Sequence, residues 1–167
     1  MKKEKKILSI FILVLSLQLI LISCSEDDND NSLIMGIWKY HSVTAGEIVT
    51  NSETNTENIE PFVTSLGEDM FEGFKYFFRP DGKLESSYND LETVIGTYSY
   101  YNGILTMIGG DQTLTIKASV DDGVLLFEQD FTRSCNNLKQ DELIDLGIDD
   151  EDFKATKATA IISFSKQ

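Results

Sequence analysis

Four glycine-bearing turn signals partition the middle of this chain: Pro80-Asp81-Gly82, Asn102-Gly103, Gly109-Gly110-Asp111 and Asp121-Asp122-Gly123. Asn-Gly and Asp-Gly supply the two positive-φ residues that a two-residue hairpin turn requires. The segments between them are short and rich in aromatic and β-branched residues, and residues 112–120 (QTLTIKASV) alternate polar and apolar at period two. Strands are therefore expected over residues 34–44, 74–79, 83–88, 94–101, 104–108, 112–120, 124–132 and 158–165. Eight strands joined mostly by hairpins form an up-and-down sheet. Closing such a sheet is the simplest way to remove its unpaired edges. The expected fold is all-β, an eight-stranded up-and-down barrel.

Two longer insertions interrupt the meander. In residues 57–72, Ile59, Phe62, Val63, Leu66 and Met70 recur at helical spacing. Asn58 is a candidate cap, Pro61 suits a first turn, and Gly73 is a stop. Gly67 weakens the helix by about 1 kcal/mol relative to alanine. Residues 137–157 read as two short helices, with Gly147 closing one and Asp149 or Asp150 capping the next. The acids of this second insertion lack the D-x-[DN]-x-[DN]-G order of a calcium loop, and acidic residues at helix starts are favoured by the helix dipole in any case. No metal ligand set and no cofactor is expected.

Strand parity carries the reading further. In an up-and-down barrel, odd-numbered connections share one end and even-numbered connections the other. The two helical insertions occupy connections 1 and 7, so both are expected at one rim. The turns at 80–82, 102–103 and 121–123 are expected at the opposite, tight rim, where the first strand begins. Alternation proposes an interior of Trp38, Tyr40, Phe74, Tyr76, Phe78, Leu84, Tyr98, Tyr100, Leu105, Met107, Leu114, Ile116, Leu125, Phe127, Ile162 and Phe164. A barrel of this size is either filled by its own side chains or holds one small ligand. Tyr76, Phe78, Tyr98, Tyr100 and Phe127 are the candidate ligand contacts, and Trp38 is a candidate structural plug.

The front of the chain is of a different kind. Lys2, Lys3, Lys5 and Lys6 precede an uncharged apolar run over residues 7–22, which is short for a membrane span and has the flanks of a secretory signal. It ends in Leu21-Ile22-Ser23-Cys24. That tetrapeptide resembles the lipobox of bacterial lipoproteins. The resemblance implies cleavage before Cys24, acylation of Cys24, and attachment to a membrane through a lipid anchor. Residues 1–23 would then be signal peptide, 24–33 a lipidated cysteine with an acidic tether, and 34–167 the barrel domain. The acidic run Ser25-Glu26-Asp27-Asp28 also resembles the signals that send some Gram-negative lipoproteins to the outer face of the outer membrane. The bacterial cell envelope is the expected address.

Gly36-Ile37-Trp38 at the head of the first strand, followed by a long first connection and then hairpins, resembles the lipocalin and calycin superfamily, and in particular its lipocalin-like lipoprotein domains. The resemblance spans residues 34–165. It implies a ligand-binding barrel and an arginine near the final strand packed over the tryptophan. Here Arg133 lies too early and the last basic residue is Lys166.

Charge and motif content bound the function. The full chain has a net charge of −14; without its first 23 residues it keeps 10 basic and 27 acidic residues, a net of −17. So acidic a surface repels phosphate backbones, and nucleic acid is excluded as a partner class. There is no G-x-S-x-G, H-E-x-x-H, C-x-x-C or phosphate-loop string. His41 is the one histidine and points outward on the alternation, so a Cys135–His41 pair has no support. With Cys24 acylated, Cys135 is a lone thiol. A non-enzymatic role is expected. Two remain open: binding of a small, largely apolar ligand within the barrel, or an accessory role in which a filled barrel docks an envelope protein at its helical rim.

Overall fold

The computed structural model describes residues 30–167. The signal segment, Cys24 and all of the tether before Asp30 lie outside the described residues. The elements, in order, are α1 (Asn31–Ile34), β1 (Gly36–Thr50), α2 (Glu53–Phe71), β2 (Phe74–Phe78), β3 (Lys83–Tyr88), β4 (Leu91–Tyr101), β5 (Ile104–Gly109), β6 (Gln112–Asp121), β7 (Val124–Asp130), α3 (Thr132–Asn136), α4 (Gln140–Asp145) and β8 (Ala155–Lys166). All eight strands pair antiparallel with their sequence neighbours, and β8 returns to β1, closing the barrel.

The hairpins follow from their residues. Asn102 and Gly103 have φ of 49° and 77°, and Asp122 and Gly123 have 45° and 77°. These are the positive-φ pairs of two-residue turns, whose twist matches that of the strands. Asn89 and Asp90 make a third such pair, at 48° and 63°, so β4 starts at Leu91, three residues before the expected strand. At Gly96 an added Cβ would lie 2.2 Å from the Ile108 carbonyl oxygen, so no side chain fits where β4 crosses β5.

β1 runs six residues beyond its expected end. Register shifts between Tyr40 and Ser42 and between Ala45 and Ile48 interrupt its alternation. Bulges of this kind bend and coil a strand. Trp38 and Tyr40 face inward, the bulge carries exposed His41, and Val43 resumes the inward face. β8 is likewise longer than expected, and it pairs with β1 from Trp38–Lys166 to Thr50–Ala155. The two strands project beyond their neighbours as a ribbon.

α2 lies on that ribbon. It starts six residues earlier than Asn58, at the cap Ser52, whose Oγ accepts from the Asn55 amide at 3.1 Å. Pro61 therefore sits inside the helix rather than in its first turn. The buried row is Asn55, Ile59, Val63, Gly67 and Phe71. A Cβ on Gly67 would be 2.8 Å from Val43 Cγ1 and 3.4 Å from Ala160 Cβ, which places the helix backbone directly against the inner face of β1 and β8. Glycine is used here for close approach.

The second insertion departs from expectation in two respects: its first helix, α3, lies before residue 137, where the strand expected over 124–132 stops short at Asp130, and no helix follows Gly147. α3 and α4 form, and Gly147 (φ 79°) ends α4, but residues 148–154 make no second helix after it. Asp150 caps nothing. Its Oδ2 accepts from Asn51 Nδ2 at 2.8 Å and from Asn55 Nδ2 at 2.9 Å. Asn58 Nδ2 donates to the Gly147 carbonyl at 2.8 Å. The two insertions are thus stapled together at one rim, as strand parity requires.

Candidate functional site at the helical rim

The tight rim is stoppered from below. Ile34, at the end of α1, is fully buried, and its carbonyl accepts from Trp38 Nε1 at 2.7 Å. Trp38 is fully buried, consistent with a plug. The Lys166 ammonium stands 5.2 Å from the centroid of the indole ring, so a lysine occupies the place over the tryptophan where an arginine was expected. Sequence reading passed over it because the side chain is lysine rather than arginine.

Above Trp38 the interior carries packed aromatic rings. Tyr76, Phe78, Tyr98, Tyr100 and Phe127 are each less than a tenth exposed. Phe78 and Tyr98 pack edge to face with centroids 4.9 Å apart, Phe127 and Phe164 are also 4.9 Å apart, and Tyr76 lies 5.4 Å from Phe164. Such pairs contribute about 0.5–1.5 kcal/mol each beyond burial. The hydroxyls are accommodated: Tyr98 Oη donates to the Arg79 carbonyl at 2.8 Å and Tyr100 Oη to the Ala118 carbonyl at 3.1 Å. Burial raises the pKa of Tyr76, Tyr98 and Tyr100 above the usual phenol range, with Asp81 adding to the shift at Tyr98 and Asp30 at Tyr100. All five belong to the buried core, and Tyr76, Phe78, Tyr98 and Phe127 are linked by ring contacts.

Phe71 closes this core from the helical side. It ends α2, is 2% exposed, and lies 6.2 Å from both Phe127 and Phe164. It was missing from the expected helix face, which stopped at Met70. An i, i+4 row drawn back from it, Val63–Gly67–Phe71, was the available signal.

The helical rim is covered unevenly. α2 packs on β1 and β8. On the far side, over β2 to β6, inward positions remain exposed. Register places Phe74, Tyr88 and Leu91 side by side across β2, β3 and β4, and Met107 opposite Leu114 across β5 and β6. Tyr88 is 46% exposed, Leu91 67% and Leu114 38%, although all three occupy the register of the inner face. Leu114 is the one member of the expected interior that is exposed. It stands two residues past the β5–β6 turn, where no helix covers it. Phe74 joins this group to the core below, with its ring 5.3 Å from Tyr88 and 5.9 Å from Tyr76. Phe62 and Leu66 of α2 are partly buried, and Met70, one turn further along the same row, is 47% exposed.

One edge of this mouth is polar. Lys39, Tyr40, Glu68, Asp69, Glu72, Tyr88 and Asn89 bound a depression of about 550 Å³. Partial burial and the nearby Glu68 and Glu72 raise the pKa of Tyr40. The arrangement offers apolar surface, aromatic rings and an acidic border. Cys135 is fully buried beneath the last connection, and burial pushes its thiol up to about 11. His41 faces solvent on β1. Among the described residues, no group of three or more His, Cys, Asp or Glu is disposed to hold a metal ion, and no helix is long and apolar enough to cross a membrane.

A scan of family models, a search of curated proteins and a search of solved structures each returned no match to this chain.

Proposed function

We propose that this protein is an exported, lipid-anchored barrel of the lipocalin-like kind, acting without catalysis in the bacterial envelope, that binds a small, largely apolar ligand at its helical rim. The observation that carries the reading is the exposure of Tyr88, Leu91 and Leu114 at inward-facing positions of the mouth. An apolar surface that a barrel directs inward yet leaves uncovered is a place for an apolar guest. Of the five aromatic residues expected to line the site, Tyr76 and Phe127 form the floor nearest the guest, with Phe71 as the threshold, while Phe78, Tyr98 and Tyr100 lie deeper, towards the tight rim. Anchorage through Cys24 rests on the Leu21-Ile22-Ser23-Cys24 string and the signal-like run before it.

A ligand that binds only the folded state stabilises it by about 2.7 kcal/mol at 100 times its dissociation constant. A thermal-shift panel of fatty acids, sterols, quinones and aromatic metabolites should therefore contain a compound that raises the melting temperature. The shift should disappear in a Tyr88→Asp, Leu114→Asp double variant. A shift that persists in that variant places the ligand elsewhere and refutes the mouth. For the anchor, Cys24→Ala should abolish fatty-acid labelling and release the protein from membranes. An unlabelled variant that still floats with membranes overturns the lipobox reading.

The ring contacts among Tyr76, Phe78, Tyr98, Phe127 and Phe164 favour a second reading, in which the same rim docks an apolar segment of an envelope protein. A panel without any shift, together with native mass spectra of protein from its own host that show a bound polypeptide and no small molecule, would favour docking.

A further inference from the structure

The tight rim carries an apolar surface that the ligand reading does not use. Leu33 of α1 is 51% exposed, Tyr101 at the end of β4 is 59% exposed, and Ile104 at the start of β5 is 40% exposed. These residues share one edge of the rim. The Asn31 side-chain oxygen accepts from the Tyr100 amide at 2.7 Å, which seats α1 on β4, and Tyr101 pairs directly with Ile104 across the Asn102-Gly103 turn. Tyr100 and Trp38 fix the two sides of this edge from within. None of the three apolar side chains is needed for the core, whose stopper on this side is Ile34.

Chain length says what this edge meets. Asp30 precedes α1 directly, and only five residues separate it from Cys24. At most about 3.3–3.6 Å per residue, the α-carbon of Asp30 stays within roughly 20 Å of the acylated cysteine. That tether holds the tight rim at the bilayer and the helical rim away from it. We infer that Leu33, Tyr101 and Ile104 form a membrane-docking edge that inserts into the interfacial layer of a zwitterionic bilayer; this rests on the anchor reading above. Tyrosine suits that layer because its ring is apolar and its hydroxyl is not. The lipid class follows from the charges on the same rim: Lys117 beside Ile104 is held by Glu128 and Lys83 by Asp81, while Asp30, Asp121 and Asp122 are exposed and repel anionic head groups.

Acylated full-length protein, purified and reconstituted into phosphatidylcholine vesicles, tests this by hydrogen–deuterium exchange against the Cys24→Ala chain mixed with the same vesicles. Residues 31–34 and 101–104 should exchange more slowly in the acylated protein, while residues 62–70 and 88–91 should not change. Replacing part of the phosphatidylcholine with phosphatidylglycerol should reduce the protection. A Leu33→Ser, Tyr101→Ser, Ile104→Ser variant should lose the protection and still float with the vesicles. Acylated protein without protection at 31–34 and 101–104, or with protection at the helical rim instead, overturns the docking edge and leaves the anchor standing. An intact mass that lacks the acyl chains overturns the anchor and the docking edge together.

Discussion

Replacing Gly67 by alanine sets two effects of similar size against each other. In an isolated helix the change stabilises by about 1 kcal/mol, since glycine carries the larger entropy cost. In α2 the new methyl would sit 2.8 Å from Val43 Cγ1 and 3.3 Å from Cγ2. Carbon–carbon contacts are favourable near 3.5–4.0 Å, so the helix or the β1 bulge must yield by roughly 1 Å. Val43 is buried and β-branched, with few rotamers to escape into. Overpacking of this kind costs about 1–3 kcal/mol, which exceeds the propensity gain. The expected net effect is a loss of about 1 kcal/mol, read from urea denaturation followed by circular dichroism, or a fall in Tm of about 3–4 °C for a domain of this size. Val43→Ala removes the obstructing methyls. In that background the same Gly67→Ala change should become stabilising by up to about 1 kcal/mol, since only the propensity term is left. Equal stabilisation in both backgrounds would refute the close approach of α2 to the ribbon, and with it the account of why this helix carries a glycine at its centre.

Phe71→Ala removes the threshold ring from beneath α2; it should cost about 3–5 kcal/mol and increase binding of an apolar fluorescent dye, both measured on the purified chain. Lys166→Ala should cost about 0.5–1 kcal/mol and alter Trp38 emission, whereas Lys166→Arg should preserve both. Cys135 should resist a thiol reagent in the folded protein at pH 8 and react fully in denaturant. The same thiol sets a pH dependence. Its ordinary value is 9.0 and its folded value about 11, so below pH 9 it is protonated in both states and contributes no slope. Between about 9 and 11 the unfolded chain gives up its proton first, and stability falls as pH rises. Denaturation midpoints across that window should fall less steeply in Cys135→Ala, and an unchanged slope would contradict the burial.

What could be read from the sequence was whatever repeats or turns. The positive-φ pairs set the hairpins, the hairpins set the strand count, and the count set the rim to which both insertions belong. Alternation found most of the large interior side chains because an inward residue two positions along is again inward; the smaller Val43, Ala118, Ala158 and Ala160 were missed. It failed where the backbone departs from period two. β1 looked shorter because its bulges shift the inward position from Ser42 to Val43. Leu114 has the right parity but lies at a rim segment that no helix covers, and periodicity carries no information about which part of a mouth a helix shields. Ser52 lost to Asn58 as the expected cap because both are good cap residues and the choice depends on where β1 ends. The run after Gly147 looked helical from its acids. Asp150 instead satisfies two asparagines nearly a hundred residues earlier, a partnership set by tertiary structure. Of the candidate site, the burial of the five aromatic residues was legible and the open half of the mouth was not.

The closing seam between β1 and β8 also has a kinetic meaning. Trp38 pairs with Lys166, and Gln167 donates its amide to the Ile37 carbonyl, so the strand formed first in the chain waits for the one formed last. Every hairpin from β2 to β7 needs only its neighbour, but the ribbon that seats α2 does not exist until the two ends meet. Closing so long a loop delays folding more than it weakens the folded state. A chain emerging N-terminus first during synthesis would therefore remain an open, edge-exposed sheet until β8 arrives. During that interval β1 is the segment most in need of a chaperone, and truncations within residues 155–166 would be expected to abolish the barrel rather than trim it.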